Sequence, residues 1–260
     1  MQFAINQVTR HFGRDRLSPV LLGALLVLSG CSSSNTIPST NEAIVDGADN
    51  PVEIPANPDD RGTVTRYRLT LNAIWSADTH SLNFPANPHF SGLVGAIHNE
   101  QVRFWEPAQI ATPGIQSMAE TGGKSGLLSE VQTAIDAGLA LASISGGGIG
   151  TSPGSATVEF EVNRDYPQIS ITSMLAPSPD WFVGLHNYPL LVNGEFIESA
   201  TIEARLYDSG SDNGERYTSA NNAASPLAPI MATTSAPLDS PFINGEPFVG
   251  SFQIERLTEE

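Results

Sequence analysis

Arg66-Tyr67-Arg68-Leu69-Thr70-Leu71-Asn72-Ala73 is the stretch that decides the fold. Tyr67, Leu69, Leu71 and Ala73 alternate with Arg66, Arg68, Thr70 and Asn72. A period of two sends one set of side chains to a core and the other to water, as in a half-buried β-strand. The same alternation returns in Val158, Phe160 and Val162, in Ile169 and Ile171, in Ile202, Ala204 and Leu206, and in Phe248, Phe252 and Ile254. Gly- and Pro-rich punctuation separates these segments, including Gly146 to Gly150 and Pro226 to Pro247. Short alternating strands divided by such turns predict an all-β sandwich or barrel of mainly antiparallel strands. One segment departs from the pattern. Leu127, Leu128, Val131, Ile135 and Leu139 recur at helical spacing and predict one amphipathic helix from about 126 to 142. With no internal repeat, residues 61–257 are expected to form one β-sandwich domain.

Composition narrows the function. The 260 residues carry 12 Lys plus Arg against 28 Asp plus Glu, a formal charge of −16, and a single Cys. A hydrophobic content of 40% with 15% charged residues is that of a globular chain, not a wholly disordered one. One Cys excludes internal disulfides. The acidic surface repels phosphate, so nucleic acid is not expected as a partner.

The N-terminus reads as a targeting segment. Arg10, Arg14 and Arg16 precede an apolar stretch from Val20 to Leu28 that falls far short of the roughly 20 residues of a membrane-spanning helix. A basic start, a short apolar centre and small residues at the end describe a secretory signal over residues 1–30. Leu28-Ser29-Gly30-Cys31 resembles the lipobox of bacterial lipoproteins, in which the Cys is lipidated and becomes the first mature residue. A multiply acylated Cys31 would anchor the chain stably, since each buried CH₂ contributes about 0.8 kcal/mol. Ser32 after Cys31 resembles outer-membrane lipoproteins, which implies a cell-envelope location at the outer membrane or cell surface. Residues 31–60 read as a flexible acidic linker, with four prolines, six acids and no base from Ser32 to Asp60. Its reach as a coil would be roughly 30 Å. Removal of residues 1–30 takes away three Arg and Asp15, leaving 9 basic and 27 acidic side chains and a formal charge of −18. Such a charge favours divalent cations, and calcium outside the cytoplasm is plentiful enough to fill sites with dissociation constants of about 10⁻⁴–10⁻³ M.

Two segments concentrate carboxylates in turns. Pro177-Ser178-Pro179-Asp180-Trp181 follows the strand around Ile169 to Met174, and Asp208-Ser209-Gly210-Ser211-Asp212 follows the strand ending near Tyr207. Loops at one end of a sandwich converge, so Asp180, Asp208 and Asp212 are candidate ligands of one Ca²⁺, an ion that takes 6–8 oxygens from side chains, carbonyls and water. The competing reading is turn capping, because Asp bonds its own backbone two residues on. The EF-hand template does not fit: Asn213 stands where that loop needs Gly, and Ser219 where it needs Glu.

A family resemblance rests on specific residues. Thr70-Leu71-Asn72-Ala73-Ile74-Trp75-Ser76, His80, Pro88-His89-Phe90-Ser91, Gly95, His98, Ala111-Thr112-Pro113-Gly114, Gly122 and Ser173-Met174 occur in order. They are followed by Pro177-Ser178-Pro179-Asp180-Trp181-Phe182-Val183-Gly184 and Tyr207-Asp208-Ser209-Gly210-Ser211-Asp212. Together they resemble the spondin domain over most of residues 66–257. The resemblance implies a C2-like antiparallel β-sandwich, an extracellular adhesion or matrix role, and a Ca²⁺ site on Asp180, Asp208 and Asp212. In the family pattern the turn reads Asp-Ala-Gly-Thr-Asp; here Ser209 and Ser211 replace Ala and Thr while the carboxylate spacing is kept. Animal members carry cysteines that this chain lacks.

Other motifs carry less. His80, His89 and His98 are nine apart and offer no zinc signature without Cys, so structural hydrogen bonding is expected of them. No G-x-S-x-G elbow occurs, and Met118 occupies the first Gly of a phosphate loop ending Gly123-Lys124-Ser125. The expectation is a lipid-anchored, calcium-binding sandwich that binds or adheres to an envelope or matrix protein or a glycan and is not an enzyme. Two alternatives stand beside it. A carbohydrate-binding module with structural calcium predicts exposed aromatics, and a calcium-assisted hydrolase predicts a nucleophile and base in contact near the ion.

Overall fold

The computed structural model describes residues 64–233 and 248–258. The expected signal segment, Cys31, the linker and the end of the Pro226–Pro247 stretch lie outside the described residues. In chain order the elements are β1 (Thr65–Ala73), β2 (His89–Phe90), β3 (Val94–His98), α1 (Pro113–Thr121), α2 (Ser125–Asp136), β4 (Ala140–Ser145) and β5 (Gly154–Val162). There follow β6 (Gln168–Ala176), β7 (Trp181–Pro189), β8 (Leu191–Val192), β9 (Glu195–Phe196), β10 (Ser199–Asp208), β11 (Met231–Ala232) and β12 (Phe248–Leu257). The main sheet runs β4-β3-β6-β7-β10-β12-β1-β5, with each neighbouring pair antiparallel. Its two edges, β4 and β5, approach each other, so the sheet folds over into a nearly closed sandwich. The expected all-β antiparallel class is what the chain adopts.

Alternation in β1 puts Tyr67, Leu69 and Leu71 fully inside, and β12 faces them with Phe252 and Ile254. These meet Ile169, Ile171 and Leu175 of β6, Val183 and Leu185 of β7 and Ile97 of β3 in one core between the two halves of the sheet. Each such side chain contributes about 1.5–3 kcal/mol by leaving water. Nearly every residue of β6 is buried, in contrast to β1, because its outer face is covered as well. Val94, Ala96, Met174 and Phe182 pack there against Ile115, Met118, Leu127 and Val131 of the two helices in a second core.

The helical region differs from the expected single helix. The stretch from about 126 to 142 ends as a helix at Asp136; the chain then turns at Gly138 (φ 71°), and Ala140 onwards is edge strand β4. A left-handed residue of this kind stops a helix, and Gly adopts it without steric cost. The preceding helix, α1, carries its start signal in Thr112, whose side chain accepts from the Ile115 N–H, and in Pro113 at the first turn. Glu130 of α2 completes this cap: Oε1 accepts from the Gly114 N–H at 2.7 Å and Oε2 from the Thr112 hydroxyl at 2.7 Å. The two helices are thereby joined by a carboxylate at a helix N-terminus, where negative charge is favoured.

His80 and His98 are fully buried members of the fold. His98 Nε2 bonds Ser170 Oγ at 2.8 Å and Nδ1 bonds the Asn99 carbonyl at 2.7 Å. His80 Nδ1 bonds Thr79 Oγ1 at 2.9 Å, while Nε2 is buried without a partner among the described residues. Burial pushes His80 down to about 4 and lowers His98 as well.

Two outcomes follow from these packings. Glu130→Ala is expected to cost about 1–2 kcal/mol of unfolding free energy in urea, since it strips a cap and leaves a partly buried N–H unpaired; Glu130→Gln is expected to cost less. For His80, the unfolded ring takes a proton below about pH 6.5 and the folded ring resists until about pH 4. Its contribution is therefore complete above pH 6.5 and is lost as pH falls. Between pH 7.5 and 4.5 the stability of the parent relative to His80→Gln is expected to drop by up to about 3 kcal/mol; a pH-independent difference would show that His80 is not held neutral.

Candidate metal centre

Strand pairing brings the carboxylates together. β7 and β10 are joined through Leu206↔Val183, Tyr207↔Phe182 and Asp208↔Trp181. Asp208 thus closes β10 opposite Trp181, and Asp180 sits one residue before it. The Ser209 N–H donates to the Asp180 carbonyl at 3.2 Å, which continues the ladder into the turn. Ser178 fixes the other side of Asp180, its Oγ accepting from the Trp181 N–H at 3.0 Å.

Asp180 is fully buried. Its Oδ2 accepts from the Ser211 N–H at 2.8 Å, the Asp212 N–H at 3.0 Å and the hydroxyls of Ser209 (2.9 Å) and Ser211 (3.3 Å). Its Oδ1 is buried and has no hydrogen-bond partner among the described residues. Asp208 accepts from the Gly210 N–H at 2.8 Å on Oδ1 and from Trp181 Nε1 at 3.3 Å on Oδ2. Asp212 accepts from the Gly214 N–H at 2.7 Å and the Asn222 N–H at 2.8 Å. Asp208 and Asp212 each bond the N–H two residues ahead, so the capping chemistry expected of turn Asp is present. Among the described residues, no three His, Cys, Asp or Glu side chains are arranged as a metal cage.

Electrostatically the site is unfavourable to its own charges. Burial pushes the Asp180 carboxyl up, against the pull of its N–H and hydroxyl donors. Asp208 rises from 3.8 to about 6, first through burial and then through the charge of Asp180, with Asp212 adding to it. Carboxylates crowded out of water in this way favour a proton or a cation. An orphaned, buried carboxylate oxygen beside two further Asp is the donor set a hard cation takes, and on that count the residues fit calcium.

Trp181 lies under the turn, 4% exposed, with its ring 5.6 Å from Tyr217, which in turn bonds Trp75 Nε1 through its hydroxyl at 3.2 Å. Trp75, Trp105 and Trp181 are all buried, so no Trp offers a surface platform for sugars. Ser209 and Ser211, which position Asp180, carried no weight of their own in the sequence; their signal was the replacement of Ala and Thr in the turn. Among the described residues neither has a His among its hydrogen-bond partners, and the Ser hydroxyl that bonds a His ring, Ser170 with His98, is fully buried and lies on β6 and β3. This is a structural pair, not a nucleophile with access to substrate.

Comparison with known proteins agrees with this architecture. The family model described as Spondin_N matches residues 65–246. Human Spondin-2 is 29% identical over 180 residues, covering 66% of this chain and 54% of Spondin-2. Chicken Spondin-1 is 30% identical over 182 residues, covering 68% of this chain and 22% of Spondin-1. The chain therefore spans about half of one relative and about a fifth of the other. The match takes in β1 through β11, both helices and all three carboxylates of the centre, and by it the chain belongs to the Spondin_N family.

Proposed function

We propose that the protein is an extracytoplasmic binding protein of the adhesion type, held at a bacterial envelope by lipid on Cys31 and ordered by calcium at Asp180, Asp208 and Asp212. The observation that carries the calcium reading is the unpartnered, buried Oδ1 of Asp180 next to a second carboxylate whose proton affinity is raised. Family membership supports the adhesive role, since the spondin resemblance implies an extracellular or matrix setting, and the basic-apolar-Cys start supports export and anchoring.

Asp180, Asp208 and Asp212 would hold the ion, with backbone carbonyls and solvent filling the remaining positions of a flexible oxygen shell. A bound Ca²⁺ supplies the positive charge that compensates the mutual repulsion of the three. Asp180 ties the 208–212 turn to the start of β7, and Asp212 ties the same turn to Asn222. Loops so joined present one fixed end of the sandwich to an envelope or matrix protein or a glycan, and the acidic body keeps the chain off anionic surfaces.

The calcium reading has a direct test. For a dissociation constant of about 10⁻⁴ M, about 10 mM calcium adds about 2.7 kcal/mol of stability. That corresponds to roughly 5–10 °C in Tm relative to a chelated sample. Asp208→Asn keeps the acceptor for Gly210 but removes a charge, so it is expected to raise the chelated protein's stability by on the order of 1 kcal/mol and to abolish the calcium response. Equal calcium shifts in parent and variant would remove Asp208 from the site. The anchor is tested separately: the parent expressed in a bacterium is expected in the detergent-extracted membrane fraction with an acylated Cys31 by mass spectrometry. Cys31→Ser should appear unacylated, and equal membrane partition of the two would overturn the anchor.

A further inference from the structure

The sheet leaves two edges unpaired, and they lie close to each other. β4 and β5 stand at the two ends of the strand order, and among the described residues neither has a strand on its outer side. Between them runs a groove of about 600 Å³ walled by Leu141 to Ser145 of β4 and Val158 to Glu161 of β5. Successive side chains of a strand point to opposite faces, so a wall made of consecutive residues is the backbone edge itself. The pairing of β4 with β3 shows which of its backbone groups are free. The Gly146 N–H donates to the Leu93 carbonyl at 2.8 Å, and the Leu93 N–H to the Gly147 carbonyl at 3.1 Å. Antiparallel pairs alternate between bonded and non-bonded. Ile144, opposite Gly95, therefore turns its N–H and C=O to β3, whereas Ser143 and Ser145 turn theirs outward.

β4 is a poorly defended edge. Natural edge strands are commonly blunted by Lys, Pro, inward-pointing charges or bulges. β4 reads Ala140-Leu141-Ala142-Ser143-Ile144-Ser145, without a charge or a proline, and its bulge falls at Leu141, ahead of the regular stretch. Across the groove β5 carries two charges, Glu159 and Glu161. Apolar side chains lie within the seam. Leu141 and Val158 are half-buried against the core, and Val64, at one end of the groove, is 43% exposed.

A free strand edge is met by a chain with N–H and C=O groups at the same spacing, which an extended peptide supplies. Charge on the walls selects the peptide. Glu159 is engaged by Arg66 at 3.2 Å and Arg68 at 2.7 Å, whereas the exposed Glu161 has no ion pair or hydrogen bond among the described residues. Charge also disfavours the chain itself as occupant. A second copy brings its own −16, and the sequence before Val64 holds Pro55 and Pro58, which lack an N–H, with Asp59 and Asp60 of the wrong sign. We propose that the seam takes an extended basic segment of a partner protein as an added strand on β4. Its apolar side chains enter beside Leu141 and Val158, and a Lys or Arg on the alternate face meets Glu161. This rests on the reading of the chain as a binding protein and gives that reading a partner class; calcium and Cys31 play no part in it.

The test is NMR titration of the isotope-labelled mature chain with short capped peptides. One alternates Lys with Val, one alternates Glu with Val, and one is a fully N-methylated copy of the Lys–Val peptide. In the free chain the Ser143 and Ser145 amides are expected to exchange quickly with solvent. The Lys–Val peptide is expected to shift both signals saturably and to slow their exchange about tenfold. The Glu–Val peptide is expected to bind severalfold more weakly, and the N-methylated copy not to bind. Glu161→Lys, at an exposed position, is expected to invert the preference between the Lys and Glu peptides. Ser143→Pro removes an outward N–H without touching the β3 ladder and is expected to abolish binding; Glu161→Lys serves where that variant does not fold. The proposal is overturned if the two serine amides are already protected in the free chain or if the Lys–Val peptide leaves them unmoved. It is equally overturned if the N-methylated copy binds as well, or if Glu161→Lys leaves the preference unchanged. Failure here leaves a chain that still answers calcium and partitions to membrane, whereas failure of the functional reading loses those responses.

Discussion

The molecule hangs on three residue pairs. Leu206↔Val183, Tyr207↔Phe182 and Asp208↔Trp181 are the whole of the ladder that joins β4-β3-β6-β7 to β10-β12-β1-β5. So short a junction would be weak by itself, and its side chains make up the difference. Phe182 is fully buried and stacks 5.7 Å from Tyr207, and both meet the edge of Trp105 at 5.0 Å. Aromatic contacts of this kind add about 0.5–1.5 kcal/mol each beyond the area they bury. On the other face Val183 and Leu206 enter the core between the two halves of the sheet. Because the ladder ends at Asp208, it sets the carboxylate turn.

The carboxylate turn shows how a charge is kept where charges are costly. Asp180 is out of water, and an isolated ionised carboxylate in such a place is neutralised unless it is paired or richly bonded. Here four donors converge on one of its oxygens, two of them backbone N–H groups whose directions are fixed by the turn. Donors of this kind favour the ionised form, whereas burial and Asp208 oppose it. The balance leaves Oδ2 satisfied and Oδ1 unsatisfied. That asymmetry within one carboxylate is what the proposed calcium reading rests on.

Much of this was legible in the sequence, and what was not has physical reasons. Alternation is plainest where one face of a strand meets water, as in β1, β5 and β10; in β6 it shows only in Ile169 and Ile171, although Ser170 and Thr172 between and beside them are buried as well. β6 and β7 have helices or aromatic rings on one side and the core on the other, so their periodicity is muted and β7 drew attention only through its Pro-Ser-Pro-Asp-Trp start. Leu139, which continued the helical spacing past Asp136, belongs after Gly138 and leads into the edge strand. α1 is short and was hidden because its cap is shared with Glu130, sixteen residues beyond Gly114. The convergence of Asp180 with the 208–212 turn was foreseeable from loops at one end of a sandwich.

The departure of the turn from its family pattern acquires meaning in this setting. Ala at position 209 would offer Asp180 no donor, whereas Ser209 places a hydroxyl 2.9 Å from Oδ2. Ser211 keeps the hydroxyl that Thr would supply, 3.3 Å from the same carboxylate oxygen and 2.8 Å from the hydroxyl oxygen of Ser209. The extra hydroxyl thus adds to the compensation of the Asp180 charge. It acts on Oδ2 alone, and Oδ1 stays without a hydrogen-bond partner among the described residues. Adding hydroxyls to the turn therefore relieves the cost of burying Asp180 without supplying the partner that Oδ1 lacks.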